Sequence, residues 1–203
     1  MSLHSRQPNN HRSHCRGPSR TCARHPIDHA KFLELLWEQL ERSLDDGITP
    51  LGHGGARGVL FQVTLLAYGY TFVSKGTVQA FVKDLEHEAA VYQRLQPIQG
   101  RHVPVFLGAI DLQSMNRTYY YDHRVYVIHM TFLSWGGDDL NLTGTGEQLE
   151  VAAVRSLRAM HQQGVIHGDV RRANMLFNAE INGVMMIDFE RALLLEPPRR
   201  PLA

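Results

Sequence analysis

The stretch that decides the fold of this chain is residues 164–177, GVIHGDVRRANMLF, in which polar side chains lie between two apolar runs. The polar cluster contains His167, Asp169, two arginines and Asn174. Such a cluster is typical of a surface loop, but this mixture of acid, base and amide is also what a catalytic loop contains. A catalytic function requires partner residues at predictable positions elsewhere in the chain.

The segment after this loop predicts a β-hairpin. Residues 174–189, NMLFNAEINGVMMIDF, contain two apolar runs around Asn182-Gly183. An Asn-Gly pair between apolar runs is the strongest short-range hairpin signal. Because a hairpin returns the chain to the point where it began, we expect Asp188 to lie beside the loop.

Upstream of the loop, the apolar periodicity predicts three helices and five strands. The first helix is expected to begin at Asp28, whose side chain can cap it, and to end before Gly47. The second is expected over 81–95, and the third over 147–164. The predicted strands are 48–51, interrupted by Pro50, then 59–68, 70–73, 103–112 and 125–135. This order predicts an α+β fold with two lobes: an antiparallel sheet carrying one helix, then a mainly helical part with a small hairpin.

Composition is that of an ordinary globular protein, with 43% apolar and 20% charged residues among 203. A net charge of +1 argues against wholesale nucleic-acid binding, although the charge is unevenly spread, and we expect no specific nucleic-acid partner. The first 27 residues are basic and nearly devoid of apolar side chains, which predicts a disordered tail. Both cysteines, Cys15 and Cys22, lie in that tail, so no disulfide framework is expected. With neither a transmembrane run nor a signal peptide, we expect no membrane association and a cytoplasmic or nuclear location.

The loop has the spacing that phosphoryl transfer from ATP requires. Its pattern is His-x-Asp-x-x-x-x-Asn, in which Asp169 is positioned to accept a proton from an acceptor hydroxyl. Asn174 and Asp188 are the expected ligands of Mg²⁺. A loop Asp followed by Asn is common by chance, whereas this loop joined to an Asn-Gly hairpin that ends in Asp-Phe is not.

Two further parts of a phosphate site can be assigned upstream. Residues 52–59, GHGGARGV, resemble a glycine-rich phosphate cover but are one residue longer than G-x-G-x-x-G, and alone they predict a hairpin turn equally well. Lys75, near the end of the third strand, is the expected phosphate-binding lysine, and Lys83 is its rival. The candidate phosphate-binding glycines are Gly52, Gly54, Gly55 and Gly58.

The partner of Lys75 is selected by helical geometry. On the helix over 81–95, Glu88 shares a face with the apolar residues Val91, Tyr92 and Leu95. Glu86 lies on a more solvent-directed face. Glu88 is therefore the better candidate, although a surface carboxylate on an ordinary helix has the same sequence signature.

These motifs together resemble the protein-kinase-like superfamily, over about Leu51 to Glu190. His-Gly-Asp in place of His-Arg-Asp and Asp-Phe-Glu in place of Asp-Phe-Gly are similar to atypical members, namely RIO-type kinases, aminoglycoside phosphotransferases and choline kinases. The resemblance implies an N-lobe within 28–135, a C-lobe within 136–203, and ATP and Mg²⁺ as cofactors. It also implies that adenine is hydrogen-bonded to the backbone around Phe132 to Trp135.

The resemblance further implies that Arg171 neutralises charge on the γ-phosphate, with Arg172 a surface charge. It fails after Glu190, where residues 191–203 replace the activation loop and several helices of regular protein kinases. The C-lobe is thus expected to be reduced, with the apolar face of the third helix partly exposed or covered by a protein partner.

Two functions from different classes remain, beside the weaker reading of an ordinary α+β domain with accidental motif matches. The first is an active phosphotransferase, possessing a base, both metal ligands and Lys75, that acts on Ser/Thr of a protein or on a small-molecule hydroxyl. The second is a nucleotide-binding pseudokinase or regulatory module, suggested by the reduced C-lobe and the irregular glycine loop. Retention of the base and both metal ligands favours the enzyme.

Overall fold

A computed structural model of the chain describes residues 27–55, 58–122, 125–140 and 146–196. Within these ranges the protein is an α+β fold of three α-helices and antiparallel sheets, as predicted for the fold class. None of the helices described is long and apolar enough to cross a membrane. The predicted disordered tail, except Ile27, lies outside the described residues.

The helices and strands follow the predicted order, with additional short strands. The helices are α1 (His29–Arg42), α2 (Val82–Arg94) and α3 (Glu147–Gln162). The strands are β1 (Ile48–Gly55), β2 (Gly58–Leu65), β3 (Tyr70–Thr77), β4 (Phe106–Asp111), β5 (Tyr119–Tyr120), β6 (Tyr126–Val127), β7 (His129–Leu133), β8 (Asp138–Asp139), β9 (Val165–Ile166), β10 (Met175–Asn178), β11 (Gly183–Met186) and β12 (Leu193–Leu194). The short β5–β6 hairpin was not predicted from the sequence.

The largest sheet has the strand order β1-β2-β3-β7-β4, with antiparallel pairing throughout. Pro50 lies in the edge strand β1, where the absence of its N–H breaks no central pairing, and the register shifts between Pro50 and Gly54. On β2 the buried residues alternate with more exposed ones, as expected of a strand that packs on one face. Lys75, on the central strand β3, lies opposite Leu60 of β2 and Thr131 of β7.

Helix α1 packs on this sheet through Phe32, Leu36 and Leu40, which are buried in the same apolar cluster. Asp28 caps the helix as predicted, since its carboxylate accepts from the Lys31 N–H at 2.8 Å. The helix ends earlier than expected, at Arg42, because Ser43 adopts an extended backbone. Gly47, with φ of 77°, lies in the turn before β1 instead.

A second apolar cluster surrounds α3 and the β10–β11 hairpin, and α2 contributes Val91, Tyr92 and Leu95 to it. The predicted apolar face of α3 packs into this cluster, with Ala153 and Met160 buried. Other residues of that face are only partly buried, in agreement with the expected partial exposure. Helix α2 therefore carries its Glu88 face toward the interior, as its periodicity predicts.

The hairpin predicted from Asn182-Gly183 is confirmed, but its turn is longer than a two-residue one. Asn178 pairs with Gly183, so residues 179–182 form the loop, in which Asn182 has φ of 47°. The side-chain oxygen of Asn178 accepts hydrogen bonds from the backbone N–H groups of Glu180 and Ile181 at 3.0 and 3.3 Å. Asn178 thus supplies the acceptor that closes the turn.

Replacing Asn178 with Ala is expected to destabilise the hairpin, because two N–H groups lose their acceptor. We expect the free energy of unfolding, measured by urea denaturation, to fall by about 1–2 kcal/mol. Asn178→Asp is the matched control, since it keeps the side-chain oxygen. An equal loss in both variants would show that this acceptor is not what stabilises the turn.

Candidate active site

Lys75 lies at the centre of three carboxylates. Its Nζ is 2.9 Å from Glu88 Oε2, 3.1 Å from Asp188 Oδ1 and 2.8 Å from Glu190 Oε1. Glu88 is 3% exposed and extends from α2, whereas the rivals considered for these roles, Glu86 and Lys83, are exposed. The structure therefore joins Lys75 and Glu88 as the sequence predicted, and adds Glu190, which the sequence did not.

Electrostatics maintain Lys75 as a cation. Burial opposes its charge, but the carboxylates of Glu88, Asp188 and Glu190 outweigh burial and raise the pKa of Lys75 above its usual value. Burial also raises the pKa of Glu88, against the effects of Lys75 and of the Phe189 N–H, which donates to Glu88 Oε1 at 3.3 Å. Loss of the lysine charge would leave Glu88 as an uncompensated buried carboxyl group.

The predicted catalytic loop orders the carboxylate of Asp169. Asn174, which is 3% exposed, donates its Nδ2 to Asp169 O at 2.9 Å and to Asp169 Oδ2 at 3.2 Å. Arg171 Nε lies 3.2 Å from the same Oδ2. Since the Asn174 amide nitrogen faces Asp169, its side-chain oxygen can serve as a metal ligand.

The β10–β11 hairpin positions Asp188 beside this loop. Met175 pairs with Met186, and the Ile187 N–H donates to Asn174 O at 3.0 Å, so the residue after Ile187 returns to the loop. Asp188 has φ of 67°, which is uncommon for a residue other than glycine and is often found at functional sites. The oxygens of Asn174 and Asp188 are of the type that Mg²⁺ binds.

His167 supports the loop from within. It is 1% exposed, its Nε2 donates to Ile187 O at 2.9 Å, and its Nδ1 accepts from the Asp169 N–H at 3.3 Å. Burial lowers the pKa of His167, which favours the neutral ring that this bonding pattern requires. The His167 ring therefore links the backbone of Asp169 to that of Ile187, and both of its nitrogens are used within the protein.

The glycine of His-Gly-Asp has a steric cause. Gly168 has φ of 77°, and a Cβ at this position would lie 2.1 Å from the carbonyl oxygen of Arg191. Any side chain here meets both a strained backbone and a fixed carbonyl group. Glycine at position 168 is thus required by the close approach of the Arg191 carbonyl group.

A cavity of about 910 Å³ contains these groups. Its lining surface is mostly apolar, and its charged lining residues include Lys75, Asp169 and Asp188. Its size is within the range of small-molecule and cofactor sites. The apolar lining residues include Leu51, Leu60, Val73, Leu133, Trp135 and Leu176.

Three of the four residues in the segment expected to meet adenine, 132–135, line the cavity. Phe132 is fully buried in the apolar cluster of the large sheet, and the cavity lining begins at Leu133 and continues through Ser134 and Trp135. Phe132 points into the core because β7 alternates its side chains between two faces.

The candidate phosphate-binding glycines lie on the β1–β2 hairpin. Gly52, Gly54 and Gly55 belong to β1, and Gly55 pairs with Gly58 at the start of β2. Gly58 lines the cavity, and a Cβ there would lie 3.4 Å from Lys75 Cγ. The tip of the hairpin, residues 56–57, lies outside the described residues.

No protein-family model matches the chain. It is related to meiotic driver SPOK2 of Podospora anserina. The two are 41% identical over 180 residues, which is 87% of this chain and 23% of that protein. The chain therefore spans less than a quarter of the length of this relative.

Two residues near Lys75 were not assigned from the sequence. In the sequence, Glu190 appears only as the last residue of Asp-Phe-Glu. Tyr92 packs its ring against Phe189 and Phe106, while its buried hydroxyl has no hydrogen-bond partner among the described residues. A tyrosine on the apolar face of α2 was the available signal, since a buried hydroxyl normally requires a partner.

Gly168→Ala is expected to destabilise the protein more than Gly69→Ala does. Both residues have φ near 70°, but a Cβ at Gly69 would meet nothing within 4 Å. We expect a loss of about 1 kcal/mol at Gly69 and at least about 3 kcal/mol at Gly168, measured by chemical denaturation. Equal losses would contradict the proximity of Arg191 O.

Tyr92→Phe is expected to increase stability, because it removes a buried hydroxyl that lacks a partner. We expect the free energy of unfolding to rise by about 1 kcal/mol, measured by urea denaturation. A decrease of similar size would show that the hydroxyl forms a hydrogen bond in solution.

Proposed function

We propose that this chain is an ATP-dependent phosphotransferase of the protein-kinase-like type, which moves the γ-phosphate of ATP to a hydroxyl group. One observation carries the proposal: a single cavity contains Lys75 paired with a buried glutamate, together with Asp169, Asn174 and Asp188. This set comprises a phosphate-binding cation, a proton acceptor and two metal ligands.

The proposed two-lobe organisation, with units within 28–135 and 136–203, is supported by the first apolar cluster, which joins α1 to the large sheet and contains no residue beyond 135. The second cluster joins α3 to the hairpin and also contains Val91, Tyr92 and Leu95 of α2, so α2 connects the two units. The cavity receives residues from both parts of the chain, including Leu60 and Leu176. Nucleotide sites commonly lie between two such units.

In this proposal the apolar walls of the cavity receive the adenine base, and Lys75 binds phosphate oxygens. Asn174 and Asp188 bind Mg²⁺ through oxygen atoms. When bound, ATP would supply the phosphoryl group, and Mg²⁺ would neutralise part of the negative charge on the phosphates. Gly58, beside Lys75, lets the β1–β2 hairpin approach the phosphates closely.

Asp169 is the proposed proton acceptor. Its carboxylate is oriented by Asn174 and by Arg171, so an oxygen can receive the proton of an acceptor hydroxyl as the phosphoryl group is transferred. Arg171 lies between Asp169 and Asp188, 3.9 Å from the latter, and its side chain is 59% exposed. It can therefore turn toward the transferred phosphate and offset its negative charge.

The relationship to SPOK2 suggests where this activity operates. We propose that the unit supplies phosphotransferase activity to a protein of the meiotic-driver type, with a protein Ser/Thr or a small-molecule hydroxyl as acceptor. Exposed apolar residues of α3, such as Val151 and Val154, provide a surface for a protein partner.

A second candidate function is nucleotide binding without turnover. The observation that favours it is the set of carboxylates around Lys75. A nucleotide can bind among the apolar walls of the cavity while the ammonium group stays paired with these carboxylates, and its phosphates then lack the cation that transfer requires. The two candidates differ in one measurement, transfer of labelled γ-phosphate.

The proposal predicts that Mg-ATP stabilises the protein. A ligand that binds only the folded state at about 100 times its Kd adds about 2.7 kcal/mol, which thermal melting detects as a raised Tm. Asp188→Asn should abolish the magnesium-dependent part of this shift, because it removes the charged metal ligand. An unchanged shift in that variant would contradict the metal assignment.

Asp169→Ala separates chemistry from binding. We expect this variant to retain the Mg-ATP shift in Tm while losing transfer of γ-phosphate, to a candidate acceptor or to water, by at least about a hundredfold. Lys75→Met should weaken both. Wild-type protein that binds Mg-ATP but transfers no phosphate to any acceptor would support the regulatory alternative.

A further inference from the structure

Glu190 occupies the position that is glycine in the Asp-Phe-Gly motif of regular protein kinases. Its Oε1 lies 2.8 Å from Lys75 Nζ, closer than either Glu88 or Asp188, and its side chain is 14% exposed. A glycine there would leave Lys75 with two carboxylates. Glu190 therefore changes what the lysine can offer to a phosphate.

The ammonium group of Lys75 has three N–H donors. Three carboxylates surround it, at 2.9, 3.1 and 2.8 Å, so each donor has a partner within the protein. Glu88 is fixed in place because it is buried and also accepts from the Phe189 N–H. A phosphate oxygen can thus accept from an N–H of Lys75 only if it displaces Asp188 or Glu190.

Asp188 is the partner that a metal ion would withdraw. Its side chain is 31% exposed, and it is a proposed ligand of Mg²⁺. A carboxylate oxygen that binds the metal no longer requires the lysine, so metal binding makes a donor of Lys75 available. Without metal, Asp188 and Glu190 both remain on Lys75.

The excess of acidic groups around Lys75 also disfavours the binding of metal-free nucleotide. Around Lys75 and Arg171, the carboxyl groups are those of Glu88, Asp169, Asp188 and Glu190. Metal-free ATP brings further negative charge to this excess of acidic groups, whereas a divalent cation reduces the repulsion.

We propose that Glu190 is a specificity-determining residue that makes nucleotide binding depend on a divalent metal ion. It occupies a donor of Lys75 and adds a negative charge where phosphates bind, so the site rejects metal-free nucleotide. The inference rests on the proposed function, whose nucleotide site it refines.

The test is the affinity for ATP with excess Mg²⁺ and with EDTA, measured by isothermal titration calorimetry on wild type and Glu190→Gln. Glutamine has nearly the same size but lacks the charge. We expect the variant to bind metal-free ATP at least about tenfold more tightly than wild type, about 1.4 kcal/mol, with affinity for Mg-ATP within about threefold. The ratio between the two conditions should fall accordingly.

Glu86→Gln is the matched control. It removes the same charge from an exposed position on α2, and we expect it to preserve the wild-type ratio. Glu190→Gly is a second variant, which tests the same prediction if Glu190→Gln does not fold.

The possible results separate failure of this inference from failure of the proposed function. Metal-dependent binding by wild type with an unchanged ratio in both Glu190 variants would overturn this inference and leave the proposed function standing. Loss of Mg-ATP affinity without gain for metal-free ATP would also overturn it, and would make Glu190 a metal ligand. If folded wild type and the folded variants bind no nucleotide under either condition, the proposed function fails as well.

Discussion

The ammonium group of Lys75 joins three parts of the molecule that are distant in sequence. The lysine belongs to β3 of the large sheet, Glu88 to α2, and Asp188 and Glu190 to the segment after the β10–β11 hairpin. Because Glu88 is buried, it depends on Lys75 for compensation of its charge. The contact therefore sets the position of α2 against the sheet and of the hairpin segment against both.

Further contacts secure the same arrangement along α2. His87 Nε2 donates to Ala192 O at 2.8 Å, and Arg94 donates to Leu195 O at 3.2 Å. Leu193 and Leu194 of β12 also pair with β9, which directly precedes the predicted catalytic loop, residues 167–174. The segment after Phe189 is thus packed against α2 and β9, and it closes over Gly168. This packing makes the alignment of Lys75 and Glu88 part of the fold.

Local patterns in the sequence predicted the parts of this site that depend on local geometry. Helical periodicity selected Glu88 over Glu86, and the hairpin signal placed Asp188 beside Asn174, since both follow from repeat lengths within one element. The requirement for glycine at 168 could not be predicted in this way, because it arises from the carbonyl group of Arg191 in another segment. The contact between Glu190 and Lys75 could not be predicted either, because it joins two segments that are far apart in the sequence.

We propose that Lys75 with its three carboxylates and the predicted catalytic loop, residues 167–174, form one site for a metal-bound nucleotide. A crystal structure of the protein with Mg²⁺ and a non-hydrolysable ATP analogue tests it most directly. We expect a phosphate oxygen within hydrogen-bond distance of Lys75 Nζ, a metal ion bound by Asn174 and Asp188, and the adenine among the apolar walls near Leu133. An empty cavity at saturating nucleotide, or nucleotide bound elsewhere on the surface, would contradict it.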